Sequence, residues 1–234
     1  MSEMMVLLMS AASLGVIHTL LGPDHYLPFI VLSKARKWTR TRTLWITFIS
    51  GVGHVTGSVI LGMIGIAMGI SLSKLEAFEA SRGSLVGWML IAFGLLYTGY
   101  GIYKYIKKGA HMHVPAFLRP KSIRHEHLHL DVNEIKEDSA GKLTPWILFL
   151  IFVFGPCEVL IPMLIYPAAN QSGMGVFLVA LVFGIATVGT MMLVVYLGYQ
   201  GLSLVRFKGR EHQLHLFAGL VILLAGAGMQ FMGL

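Results

Sequence analysis

The sequence is short of charge and almost without cysteine, and each shortage excludes a class of function. Only 12% of the 234 residues are Asp, Glu, Lys or Arg, whereas a soluble domain carries roughly 25%. With 56% hydrophobic residues and a mean hydropathy of +0.74, the composition is that of an integral membrane protein. The one cysteine, Cys157, excludes an internal disulfide and any two-cysteine relay within one chain. No phosphate loop, nucleophile triad or dinucleotide fingerprint is present, so the sequence points away from an enzyme and from an organic cofactor. The opening MSEMMVLL has neither a basic n-region nor a small-residue cleavage site, so the first apolar run reads as a retained helix. The net charge of +7 does not indicate nucleic acid, because the basic residues flank apolar runs as topology signals do.

What is present is a series of long apolar segments. Six of them, 5–32, 43–71, 84–106, 145–169, 174–204 and 213–233, reach the ~20 residues needed to cross a ~30 Å hydrocarbon core. Prolines fall inside the first (Pro23, Pro28) and the fourth (Pro156, Pro162, Pro167), which predicts that these two are broken. Every Lys and Arg except Lys74 and Arg82 clusters at the loops after the first, third and fifth segments. Six crossings put those loops on one side, which the positive-inside rule makes the cytoplasm. Both termini then face outward across the inner membrane.

The two halves echo each other. Gly22-Pro23 and Gly51 recur at a common offset as Gly155-Pro156 and Gly184. The third segments of the halves share a pattern of spaced glycines. An odd number of crossings per half turns the second half upside down, so the expected fold is all-α with two inverted three-helix repeats whose broken first and fourth helices meet near the midplane. The repeats are 1–106 and 145–234. Between them, 107–144 is a polar, histidine-rich loop with too few apolar residues to fold alone.

The chemistry-bearing residues gather at the two breaks. His18, Asp24 and His25 lie within one apolar stretch around Gly22-Pro23. Ionisable groups at membrane depth cost at least ~2.5 kcal/mol each and mark function by default. Imidazole with carboxylate suits borderline divalent ions such as nickel, cobalt, zinc or iron. The alternative is interhelical hydrogen bonding that holds the bundle together. Glu158 occupies the matching break and can neutralise an ion or exchange protons with it; otherwise it is a structural buried acid. Cys157 beside it is a soft ligand or an inert small hydrophobe. His54, within FISGVGHVTGS, either completes a coordination sphere or makes a cross-helix hydrogen bond. A second candidate site is His111, His113, His125, His127 and His129 in the polar loop, since short H-x-H tracts bind transition metals adaptably. Read otherwise, that loop is a polar linker.

At His18 to His25, HTLLGPDH, the chain resembles the nickel/cobalt transporter families (NiCoT and NicO types) and the urease-associated UreH-like membrane proteins, within the LysE-type transporter superfamily. Their first-helix signature is a histidine, four residues, then Asp-His. Here five residues, Thr19 to Pro23, intervene, leaving His18 one position out of register. The SGVGHVTGS segment around His54 resembles their histidine-bearing second-helix motif. The resemblance implies transport of a divalent transition metal, nickel or cobalt first. A rival resemblance lies at GPCE in the fourth segment, which is similar to the Gly-Pro-Cys motifs of CcdA-type thiol–disulfide electron relays. Those relays carry a cysteine in each half; here Asp24 stands in the first half where Cys157 stands in the second.

The sequence therefore leads to an alternating-access transporter with a metal ion as substrate, held by His18, Asp24, His25, His54, Glu158 and Cys157. Its expected partners are the lipid bilayer, the metal, protons as coupling ion and, left open, further copies of itself. The alternatives are the CcdA-like relay and a non-transporting accessory that delivers metal to a partner.

Overall fold

The computed structural model describes residues 3–109, 132–170, 172–204 and 211–232. Among them there are helices and no strands. The first segment splits into α1 (Glu3–Leu21), a single 3-10 turn (Pro23–His25) and α2 (Leu27–Ala35). Then come α3 (Arg40–Ala67) and α4 (Leu72–Gly109). The second half holds α5 (Val132–Val153), α6 (Leu160–Ala169), α7 (Gly173–Leu204) and α8 (Glu211–Met232). Five of these helices are long and apolar enough to cross a membrane: α1, α3, α4 over Leu72–Ile106, α7 and α8 over Gln213–Met232. Large apolar side chains cover their outer faces, among them Leu96, Leu224 and Phe231, each at least two-thirds exposed. Such a surface is stable only against lipid tails. The chain is a multi-pass integral membrane protein.

Both expected breaks occur, and proline chemistry explains them. Pro23 and Pro156 have no N–H to continue the helix and clash with the preceding turn. The shorter apolar helices Leu143–Val153 and Leu160–Ala169 lie either side of the second break. Two boundaries depart from the sequence reading. Helix α4 starts at Leu72 rather than near residue 84, so Lys74, Glu76, Glu79 and Arg82 belong to a span and not to a loop. Their charge lowers local hydropathy, but intrahelical hydrogen bonding continues through them. Helix α5 likewise starts at Val132, so the end of the expected 107–144 loop is helical.

Helices α4 and α8 pack along their lengths, backbone against backbone. A side chain at Gly94 would put its Cβ 2.5 Å from the Leu223 amide nitrogen, and one at Gly219 would sit 2.5 Å from that of Thr98. Glycine alone permits this approach, the usual way of gaining dispersion contacts where lipid removes the hydrophobic drive. Helix α1 lies on α7, while α3 packs on α5, α6 and α7. The ends of α2 and α4 and the start of α8 gather at one end of the bundle: the Arg36 guanidinium stacks over Tyr97 at 5.3 Å and Tyr100 at 5.6 Å, and Lys104 Nζ lies 3.4 Å from His215 Nε2. At the other end, Tyr166 of α6 donates to Glu3 of α1 at 2.7 Å. Between the breaks and the basic end runs an apolar core containing Phe29, Leu32, Leu90, Leu148, Phe152 and Ile222.

Candidate functional site

Each proline leaves backbone groups without helical partners, and the side chains of the site take them up. In an unbroken α5 the Phe152 carbonyl would accept from residue 156, but Pro156 has nothing to donate. That oxygen instead accepts from the Gly155 amide at 2.9 Å and from His54 Nδ1 at 3.2 Å. At the first break, the Gly22 carbonyl accepts from the His25 amide at 3.0 Å and from His25 Nδ1 at 3.1 Å. Asp24 Oδ1 stands 3.2 Å from the same ring nitrogen. With Nδ1 donating to these oxygens, Nε2 is the nitrogen that carries the lone pair in a neutral form of either ring. Both Nε2 atoms are buried and have no hydrogen-bond partner.

His18 completes a cluster with these two. The His25 ring stands nearly perpendicular to the other two, with its centroid 4.8 Å from that of His18 and 5.2 Å from that of His54. The His18 and His54 rings are close to parallel, 6.5 Å apart. One ring nitrogen from each of His18, His25 and His54 can be chosen so that all lie within 4.8 Å of one another. Bonds of about 2.0–2.1 Å to one ion would place ligand nitrogens roughly 3.4 Å apart, so the widest pair, up to 4.8 Å apart, needs to close by roughly 1.4 Å. Leaving two buried acceptors unserved costs about 1–3 kcal/mol each, which favours an electrophilic guest.

The other expected residues surround this cluster without equal roles. Asp24 Oδ1 contacts His25 Nδ1 and is not one of the residues of the three-nitrogen group; there it orients the ring. Asp24, His18, His25 and Glu158 line one cavity of about 520 Å3, walled also by Ser84 of α4 and Gln230 near the end of α8. The two acids of the two breaks thus line one cavity. A second void of about 10 Å3 touches Asp24, His25 and His54, room for a single water or ion. Cys157 is fully buried and its Sγ lies 4.0 Å from His18 Nε2. His111, His113, His125, His127 and His129 lie outside the described residues.

Two functional-looking residues escaped sequence reasoning. Glu79 is fully buried and pairs with Arg82, and both reach the second break. Their signal was present in LEAFEASRGSL, an acid and a base one turn apart, but low hydropathy placed the stretch outside the third span.

The family described as cytochrome C biogenesis protein transmembrane region matches residues 21–228, from the first break to the last helix. The chain belongs to this family. No curated protein and no solved structure matches it. Membership in the cytochrome c biogenesis transmembrane family corrects the assignment to the nickel/cobalt transporter families. That assignment rested on the short runs around His18 and His54. A few polar residues at a Gly-Pro break are compatible with several membrane families, whereas the family match follows the helices through both halves. Of the functions weighed from the sequence, the CcdA-like thiol–disulfide relay is better supported by this family than a nickel/cobalt transporter is.

Proposed function

We propose that the histidine cluster of this member of the cytochrome c biogenesis transmembrane family can hold a borderline transition-metal ion, a reading of the site's geometry that stands beside the thiol–disulfide relay, which the family match supports better. One observation carries this reading: His18, His25 and His54 bring ring nitrogens within 4.8 Å of one another, and the Nε2 atoms of His25 and His54 are buried without a hydrogen-bond partner. In this reading the imidazoles of His25 and His54 bind through Nε2, Asp24 and the Phe152 carbonyl hold their far nitrogens, and His18 closes the third side. The cavity shared by Asp24 and Glu158 supplies negative charge along the approach to the cluster. The six-crossing inverted repeat is part of the proposal. Its support is the α4–α8 contact between the equivalent third helices and the two matching breaks. The basic helix ends around Arg36 and Lys104 support a cytoplasmic placement of that end.

The test is zinc titration of the purified full chain, read by calorimetry. The wild type is expected to bind one ion per chain, and the His25→Ala and His54→Ala variants to lose at least about tenfold in affinity. Unchanged affinity in both variants would end the reading. Whether bound metal then moves, and whether protons move against it, is read by reconstitution of the chain alone with metal and pH indicators inside the vesicles.

A second reading, the thiol–disulfide relay, is favoured by the family match and by Cys157 at 4.0 Å from His18. One thiol cannot close a disulfide within the chain. The relay would therefore run by exchange. The Cys157 thiolate attacks a partner's disulfide, forming a mixed disulfide and releasing one partner thiolate. A second thiolate, from another partner, then attacks the first partner's sulfur in that mixed disulfide, forming a disulfide between the two partners and releasing the Cys157 thiolate. Cys157→Ser abolishes that chemistry and leaves three imidazoles in place, so it separates the two readings.

A further inference from the structure

Two charged side chains of α4 stand within a span yet touch none of the histidine nitrogens. Glu79 Oε2 accepts the backbone N–H of Cys157 at 2.9 Å. Glu79 Oε1 pairs with Arg82. Arg82 in turn donates to the carbonyls of Gly155 at 3.1 Å and Val153 at 3.4 Å. All three backbone groups belong to the break between α5 and α6. Without Pro156 the Val153 carbonyl would accept from Cys157 within one helix; with it, the two are pulled apart and each finds a partner on α4. An apolar helix could not meet this need, and water at this depth is scarce. The contact continues one residue further, where a Cβ on Gly83 would lie 3.1 Å from Pro156 Cγ.

We infer that Glu79 and Arg82 form a clamp on the second helix break: they are positioning residues that keep the Cys157 thiol buried beside His18 and hold the Phe152 carbonyl where it orients His54. Ionised groups at membrane depth are retained when they do a task, and here the task is to replace the hydrogen bonds that Pro156 removes. A guanidinium is suited to it, because its fork reaches two carbonyls and a carboxylate together. The clamp leaves the chain between Phe152 and Cys157 in one conformation, though no helix enforces it. Its effect on the histidine cluster rests on the metal reading above; its effect on Cys157 does not.

The single cysteine makes the test direct, since N-ethylmaleimide labelling of the full chain in micelles reports Cys157 alone. Glu79→Gln keeps an acceptor for the Cys157 amide but weakens the hold on Arg82. Arg82→Lys keeps the charge but loses the fork. Glu79→Leu removes both contacts. The expected labelling rate rises from wild type through Glu79→Gln and Arg82→Lys to Glu79→Leu, by about tenfold or more at the end of the series. Zinc affinity falls by about tenfold in the same order, while Ser81→Ala, an exposed position on the same helix, changes neither. Labelling that stays at the wild-type rate in Glu79→Gln and Arg82→Lys overturns the clamp, even if Glu79→Leu does not fold. So does labelling that follows each variant's loss of melting temperature rather than the order of lost contacts. A wild-type chain that binds no zinc removes the metal reading, and the labelling series then decides the clamp alone.

Discussion

His54 of α3 donates through Nδ1 to the carbonyl of Phe152 on α5, 3.2 Å away, at an oxygen that Pro156 has released from its helix. This bond is one of those that join the two halves of the chain at the second break. It also sets which nitrogen of His54 is available to a guest.

Pro156→Ala should undo it. The restored amide at position 156 competes for the Phe152 carbonyl, the turn of helix closes, and His54 loses the acceptor that fixes its tautomer. Zinc affinity is expected to fall by at least about tenfold, with helix content by circular dichroism unchanged or slightly raised. Retained affinity would show that the break does not orient the ring.

Asp24→Asn keeps the size of the side chain beside His25 and removes its charge. An outer partner of a ligating imidazole is worth about 10–100-fold in metal affinity. The variant should therefore bind zinc more weakly by that factor and with the same stoichiometry. A change in stoichiometry would instead make Asp24 a direct ligand.

Cys157→Ser should leave zinc affinity within about threefold of wild type if the three imidazoles bind alone, because a buried hydroxyl fills nearly the same space. A larger drop would place the sulfur, 4.0 Å from His18, in the ion's first layer of ligands. Activity in a thiol-exchange assay that vanished in the serine variant would favour the relay.

Gly94→Ala and Gly219→Ala test the packing that frames the site. Each new methyl group would meet backbone of the facing helix at 2.5 Å, and backbone cannot swing aside. Overpacking of this kind costs about 1–3 kcal/mol. Both melting temperatures should drop, while Gly99→Ala, with open space around it, should not. Equal melting temperatures for all three would mean that α4 and α8 pack less closely.

Much of this arrangement was legible in the residues. The two breaks followed from Pro23 and Pro156, because a missing N–H acts locally and needs no partner. The polar residues at His18, Asp24, His25 and His54 stood out against apolar surroundings. Glu79 and Arg82 did not, because a hydropathy average treats an internally paired charge like a solvated one, and their pairing depends on where the break of another helix lies. The family was misread for a related reason. A short site motif records local chemistry, while kinship is carried by the pattern of the whole chain.

Composition and proline placement alone determined a helical membrane protein with two broken spans, since apolar length, charge depletion and lost amide donors are properties of the chain itself. Only the tertiary structure decided that His54 joins His18 and His25, that Asp24 lies outside the three-nitrogen group, and that α4 serves the break of α5. Those outcomes depend on which helices lie side by side, and that is settled by close glycine contacts and by unpaired backbone groups seeking partners on a neighbour.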